Sequence, residues 1–106
     1  MKFVIERGYV IGTKEERWTT EDGRSGVNLK LCVKDKVGDG EFGSIVIHEL
    51  DIHVEKPEDF MINKQMYDAY KDKTCRIEGI TYTRRYTKDK RTTVFSSFQV
   101  DTIEIV

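Results

Sequence analysis

A single helix-start signal stands in a sequence that otherwise has the patterns of β-strands. Pro57 is the only proline, and two acidic residues follow it directly. Proline suits the first turn of a helix, and acidic side chains favour the positive end of the helix dipole. The helix is predicted to run to about Lys71. Its apolar stripe, interpreted as a plug for one end of a barrel, is formed by Ile62, Met66, Ala69 and Tyr70.

Three strands are predicted before this helix. The first runs from Lys2 to about Trp18 and bends at two glycines, Gly8 and Gly12. A turn over residues 20–23 leads to the second strand, which alternates between an apolar and a polar face. The inward residues are Val27, Leu29, Leu31 and Val33, and the outward ones are Asn28, Lys30, Cys32 and Lys34. The third strand follows a glycine loop. In it Ile45 and Ile47 are expected inward, with Phe42, Ser44, Val46 and His48 outward.

Two further strands are predicted after the helix, over residues 75–86 and 92–105, with a turn at residues 87–90. The order β-β-β-α-β-β is the layout of the OB-fold, a five-stranded Greek-key barrel. The fold class is therefore mainly β, and we expect residues 1–106 to form one domain, because 106 residues suit a single domain. Phe95 and Phe98 fall on opposite faces of the last strand.

Composition favours a folded chain without a membrane span. Hydrophobic residues make up 38% of the sequence, and no apolar run approaches the length of a spanning helix. The short apolar stretch at the start does not resemble a signal peptide, so a cytoplasmic location is expected. Cys32 and Cys75 lack CxxC spacing, which favours reduced structural thiols over a disulfide or a metal pair.

The net charge of −1 conceals a segregation along the chain. Residues 37–72 are strongly acidic, whereas the segments on either side are basic. Between Lys73 and Arg91 the sequence has seven basic residues and two acidic ones, Glu78 and Asp89. This segment is a candidate anion-binding edge. The acidic residues Glu49 and Asp51 are interpreted as solvated loop charges.

Aromatic rings and cations alternate at the positions predicted to face outward. Single-stranded nucleic acid requires this mixture, since unpaired bases stack on rings while cations follow the phosphates. No catalytic constellation or phosphate loop is present, and the spacing of His48 and His53 does not match that of helical zinc proteases. We therefore predict no enzymatic activity, no cofactor and no bound metal.

Part of the sequence resembles the bacterial-type single-stranded-DNA-binding proteins. Residues 76–79, Arg-Ile-Glu-Gly, run into residues 82–87, Tyr-Thr-Arg-Arg-Tyr-Thr, and Arg91-Thr-Thr follows a short polar segment. This stretch is similar to the family's "IEG…TR-(K/R)-W-T…YTT". Weaker similarity covers residues 20–31 and the approach to the third strand at residues 41–47.

The resemblance implies roles for individual residues. Phe42 takes the place of a base-stacking tryptophan and His48 that of a base-stacking phenylalanine. Arg84 and Tyr86 take the places of a basic and an aromatic residue on the mobile hairpin. Trp18 lies close to a position where the family has an aromatic residue, although it could instead cap the barrel.

The sequence also departs from the family pattern. Ser44 stands where the family favours a cation, and no acidic tail follows Ile105. The resemblance is therefore to a short, tailless form, for which we expect a phage or mobile-element origin. It further implies a homo-oligomer, a dimer or tetramer, and contact with replication or recombination proteins through the barrel or its helix.

The leading interpretation is a protein that binds single-stranded DNA without strong sequence preference and protects it during replication or recombination. Two alternatives stay open, an OB-fold protein-interaction module and an RNA-binding OB domain. The candidate nucleic-acid-binding residues are Trp18, Lys30, Lys34, Phe42, His48, Tyr82, Arg84, Tyr86, Lys88, Lys90 and Arg91.

Overall fold

Five strands and one short helix form a closed barrel in the computed structural model, which describes residues 1–38 and 43–106. The strands are β1 (Lys2–Thr19), β2 (Ser25–Val37), β3 (Ser44–Ile52), β4 (Thr74–Lys88) and β5 (Arg91–Ile105). A 3-10 turn at Pro57–Asp59 leads into the helix α1, Phe60–Asp68. The strand order around the barrel is β1-β2-β3-β5-β4. The predicted OB-fold, with its helix between the third and fourth strands, is confirmed.

The long first strand serves two sides of the barrel. Its first half pairs with β4 and its second half with β2, both antiparallel. The pairing shifts register between Ile5 and Gly8 and again between Val10 and Gly12. At Gly8 a β-carbon would lie 2.4 Å from the Val33 side chain, so the close approach of β2 requires glycine there. These shifts bend β1 near the two predicted glycines.

The core lies inside the barrel and draws on all five strands. Leu29, Leu31 and Val33 of β2 are buried, as the alternation predicts, whereas Val27 is 36% exposed near the start of the strand. Cys75 is buried in this core and Cys32 is half-buried; both are free, and burial raises the pKa of each thiol. The buried set is Ile5, Val10, Leu29, Leu31, Val33, Leu50, Ile52, Cys75, Ile77 and Val100.

The predicted apolar stripe of the helix is wrong. Ile62 and Met66 are 65% and 53% exposed, and Ala69 lies beyond the end of the helix at Asp68. The helix instead packs on the core through Phe60 and Tyr67, which the predicted stripe did not include. Of the predicted residues, Tyr70 does pack on the core, from the turn that follows the helix. The larger aromatic side chains bury more apolar area, so they decide which face turns inward.

Within residues 1–38 and 43–106, no helix is long and apolar enough to span a membrane.

The predicted facing of β3 is also wrong. Ile45 and Ile47 are 62% and 54% exposed, while Leu50 and Ile52 supply the buried residues of this strand. Residues that are paired across antiparallel strands point to the same face, and His48 lies opposite the inward Val33. Because side chains alternate, Ile45 and Ile47 must share the outer face. The strand continues to Ile52, four residues beyond the predicted end at His48. The predicted strand therefore did not include Leu50 and Ile52, which anchor it in the core.

Candidate nucleic-acid interface

The β4–β5 hairpin extends well beyond the barrel. All residues from 82 to 96 are exposed, and the two strands are joined by a two-residue turn at Asp89 and Lys90. Both turn residues have positive φ, 52° and 64°, which suits the right-handed twist of a hairpin. The turn is tighter than the four-residue one predicted, so β4 reaches Lys88.

The hairpin has two different faces. On what we call the ring face, Tyr82, Arg84 and Tyr86 project from β4, since alternate residues of a strand point the same way. The two tyrosines are 43% and 59% exposed, as predicted. Lys88 lies on the same face. On β5 this face carries Ser97, Phe95, Thr93 and Arg91, which lie opposite Tyr82, Arg84, Tyr86 and Lys88 respectively. The opposite face, which we call the hydroxyl face, is formed by Thr81, Thr83, Arg85, Thr87, Thr92, Val94, Ser96 and Phe98.

Phe95 is an interface candidate that the sequence analysis did not include. It lies directly opposite Arg84 on the ring face, and its side chain is 56% exposed. Phe98, on the other face, meets the ring of Phe3 edge to face at 5.6 Å. The hairpin therefore uses one phenylalanine for internal packing and presents the other to solvent.

The hairpin cations have no ion-pair partner in the part of the chain that the structure describes. No carboxylate of residues 1–38 or 43–106 lies within 4.0 Å of Arg84, Arg85, Lys88, Lys90 or Arg91. Their charges are thus available to an external anion. On the ring face, Arg84 lies between Tyr82 and Tyr86 and opposite Phe95.

The outer face of β2 is less basic than its sequence indicates. Lys14 of β1 contacts Glu49 at 3.0 Å, and Lys30 forms a half-buried ion pair with Asp51. The hydrogen bond that Lys14 donates to Glu49 raises the pKa of Lys14. Glu49 and Asp51 belong to β3, so their interpretation as loop charges is wrong. Lys30 is thereby held by a carboxylate before any phosphate arrives.

Lys34 lies in a different part of this outer face. It is exposed, and its neighbours across the sheet are Tyr9 of β1 and Ile47 of β3. The Tyr9 hydroxyl donates a 2.7 Å hydrogen bond to Asp72, which fixes the ring and raises the pKa of the phenol. A wide groove of about 960 Å³ is lined by Tyr9, Lys34 and Ile45, among others. Lys34 therefore stands on a partly apolar surface, apart from the hairpin.

Trp18 lies on the surface of the barrel and not in its core. Its side chain is 42% exposed, and the indole covers Gly26, where a β-carbon would come within 2.3 Å of the ring. Pairing with Gly26 places Trp18 on the same outer face as Asn28 and Lys30 of β2. The indole is therefore a flat surface open to a ligand on one side.

His48 does not share the outer face with Lys30 and Lys34, contrary to the prediction. Its Nε2 lies 3.3 Å from the Asp35 carboxylate, and both side chains are half-buried. The physical reason is the register of β3, which gives His48 the parity of the core residue Val33. Phe42, which was expected outward, lies outside the described residues. The argument for its direction rested on Ile45 and Ile47 facing inward, and that premise is wrong.

A polar cleft brings two of the predicted residues together. Lys30 and Arg84 both line this cleft of about 320 Å³, where the barrel closes between β3 and β5. Its other polar residues are Asn28, Asp51, His53 and Gln99. The cleft leads from the outer face of β2 to the hairpin, so the two basic regions meet there.

Comparison with known proteins supports the fold. The sequence matches no protein-family model and no curated protein. Among solved structures, the chain is similar to the mitochondrial single-stranded DNA binding protein Rim1 of S. cerevisiae, with a TM-score of 0.54 and 14% identity over 100% of this chain and 94% of that one. It is also similar to the Plasmodium falciparum SSB in complex with ssDNA, with a TM-score of 0.50 and 12% identity over 99% and 93% of the two chains. At these identities the likeness shows a shared fold.

Proposed function

We propose that this protein binds single-stranded DNA without strong sequence preference, and that it coats and protects the strand during replication or recombination without enzymatic activity. One observation carries the proposal. The ring face of the hairpin combines three exposed rings, Tyr82, Tyr86 and Phe95, with cations that no described carboxylate neutralises. The fold shared with single-stranded-DNA-binding proteins of yeast mitochondria and Plasmodium adds support.

Exposed rings and free cations suit a single strand for separate reasons. Each unpaired base can stack on an aromatic ring, which contributes roughly 1–3 kcal/mol and is insensitive to base identity. In a duplex the bases are already stacked, so the rings gain little. The cations bind the phosphates of either form, and the rings therefore supply the preference for a single strand.

The ion pairs limit how many cations contribute to binding. Because Lys30 is held by Asp51, the free cations on the proposed path are Arg84, Lys88, Lys90 and Arg91 of the hairpin together with Lys34. Each phosphate neutralised on a single strand contributes about −0.7 to the slope of log affinity against log salt. If three to five of these cations engage, the slope is roughly −2 to −3.5.

A titration tests the proposal directly. The purified protein is added to a fluorescently labelled thymidine oligonucleotide, to the same length of duplex and to a uridine oligonucleotide, each at two salt concentrations. Trp18 is the only tryptophan, so its fluorescence gives a second signal from the outer face of the barrel. We expect tight binding to the single strand, weak competition by duplex, and the salt slope above.

Other results would support other functions. Equal affinity for duplex and single strand would contradict the stacking argument. Tighter binding of uridine would favour an RNA-binding OB domain. No binding of any nucleic acid would favour a protein-interaction module, for which the exposed Ile45 and Ile47 of β3 are a second apolar surface.

A further inference from the structure

The polar cleft at the barrel closure contains more hydrogen-bonding groups than phosphate binding requires. Lys30, Asp51 and Gln99 form one row across β2, β3 and β5, because Lys30 pairs with Asp51 and Asp51 with Gln99. Asn28 lies two residues from Lys30 on the same face, and Arg84 completes the lining from the hairpin. A phosphate would be repelled by the carboxylate of Asp51. The cleft therefore suits a ligand that both donates and accepts hydrogen bonds.

Most of these groups have no partner within the described residues. Lys30 contacts Oδ1 of Asp51, and no side chain of residues 1–38 or 43–106 donates to Oδ2. No side-chain hydrogen bond in those ranges engages the amides of Asn28 and Gln99 or the guanidinium of Arg84. Gln99 is half-buried, which limits its access to water. A carboxylate oxygen, two amides and a guanidinium thus converge on one space.

We propose that this cleft binds the edge of a single guanine of the bound strand, so that one base position is read while the rest are not. The inference rests on the proposed function. Arginine pairs with the O6 and N7 acceptors of guanine, which assigns that edge to Arg84. The N1–H and N2–H₂ donors of the same base match the free oxygen of Asp51. The amides of Asn28 and Gln99 line the same cleft and are available to the hydrogen-bonding groups of the base that Arg84 and Asp51 do not engage.

The carboxylate decides between the bases. Thymine offers a carboxylate only its single N3–H, which lies between two carbonyl oxygens that would repel Asp51. Cytosine offers one amino group to a carboxylate but lacks the paired O6 and N7 acceptors that arginine binds. Guanine alone supplies adjacent acceptors for Arg84 and adjacent donors for Asp51. The ion pair with Lys30 keeps Asp51 ionised and positioned.

The experiment compares oligonucleotides that differ at one base. Affinity is measured for a thymidine oligonucleotide and for the same strand with one central guanosine, and the strand can slide until the guanine occupies the cleft. One good base-edge contact is worth a factor of roughly five to 150, so we expect the guanosine strand to bind at least about fivefold more tightly. Inosine, which lacks the N2 amino group but keeps N1–H, should lose some of the part due to Asp51. Guanine lacking N7 keeps O6, so it should lose some of the part due to Arg84.

Two variants with matched controls link the preference to the cleft. Asp51→Asn should abolish the guanine preference and, because it releases Lys30 to the phosphates, should not weaken binding of the thymidine strand. Its control, Glu49→Gln, breaks the ion pair with Lys14 on the same strand and face and should keep the preference. Gln99→Ala, which breaks no ion pair, serves as a second variant if Asp51→Asn does not fold. We expect it to reduce the preference.

The outcomes separate this inference from the proposed function. Tight thymidine binding with no gain from guanosine overturns the inference and leaves the proposed function standing. A guanine preference that both Asp51→Asn and Gln99→Ala retain also overturns it, because the base would then be read elsewhere. Failure to bind any oligonucleotide overturns the proposed function itself.

Discussion

Two rings on the hairpin, Tyr86 and Phe95, provide the sharpest test of the proposed interface. Each is replaced by alanine, and Val94→Ala is the matched control. Val94 is 55% exposed, close to the 59% of Tyr86 and the 56% of Phe95, but it lies on the hydroxyl face. The three variants remove similar kinds of half-exposed apolar side chain from one short segment. They differ in the face that is changed.

The structure limits the effect on folding. Full burial of a large apolar side chain contributes about 1.5–3 kcal/mol, and these rings bury less than half of their surface against the hairpin. Each substitution should therefore lower the free energy of unfolding by no more than about 1 kcal/mol. Thermal or urea unfolding followed by circular dichroism measures this directly.

The effect on binding should be larger. Loss of one stacked base costs roughly 1–3 kcal/mol, which is a decrease in affinity of about fivefold to 150-fold. Fluorescence anisotropy with a labelled thymidine oligonucleotide at fixed salt gives the comparison, since affinity varies with salt. Val94→Ala should bind within about twofold of the unmodified protein.

Two results would refute this reasoning. If Tyr86→Ala and Phe95→Ala bind as tightly as Val94→Ala, stacking does not occur on the ring face. If all three variants lose affinity equally, the hairpin contributes through its general shape or order and its two faces are not distinct.

Three further predictions concern charge, packing and pH. Arg84→Glu combined with Arg91→Glu should weaken single-strand binding at least tenfold at low salt and reduce the salt slope. The control Lys56→Glu, near the helix, should change neither the affinity nor the slope. An unchanged slope in the double variant would show that the phosphates bind elsewhere. Gly79→Ala should destabilise the protein by at least about 2 kcal/mol in urea unfolding, because its β-carbon would lie 2.1 Å from the Gln99 carbonyl oxygen and 2.4 Å from the Phe3 ring; normal stability would contradict this packing. Hydrogen bonds from Lys64 and then Thr13 lower the pKa of Asp68, so this carboxylate stabilises the fold above its unfolded pKa near 3.8 and that contribution is lost as the pH falls through the lowered value. Asp68→Asn should therefore be less stable at neutral pH and match the unmodified protein in strong acid, and a stability difference that persists at low pH would exclude this linkage.

The order of elements could be predicted from sequence because each signal is local. Pro57 with its two following acids marks the helix, and the alternation from Leu29 to Val33 marks a strand with one buried face. Such signals depend only on backbone geometry and on the period of side chains. They were sufficient to predict five strands, one helix and an OB-fold.

The ring face was also partly accessible to sequence reasoning. The alternation placed Tyr82, Arg84 and Tyr86 on one side of their strand. Phe95 could have been added, because a hairpin turn of either two or four residues places it on the same face as Arg84. The parity of strand pairing across the turn determines this face.

The facing of β3 and of the helix was decided only by the tertiary structure. A run such as Ile45-Val46-Ile47 is apolar on both faces, so its inward side depends on the pairing of His48 with Val33 and on the anchors Leu50 and Ile52. The helix likewise turned its aromatic side chains inward and left Ile62 exposed.

The tertiary structure also decided which surface cations are held in ion pairs. Lys30 and Asp51 are twenty-one positions apart in the chain, and the register of two strands brings them into contact. The same closure of the barrel gathers Asn28, Gln99 and Arg84 around that pair. Local sequence determines which residues can form a strand and which way they alternate, but long-range pairing determines which cations remain free, because an ion pair depends on distance in space and not along the chain.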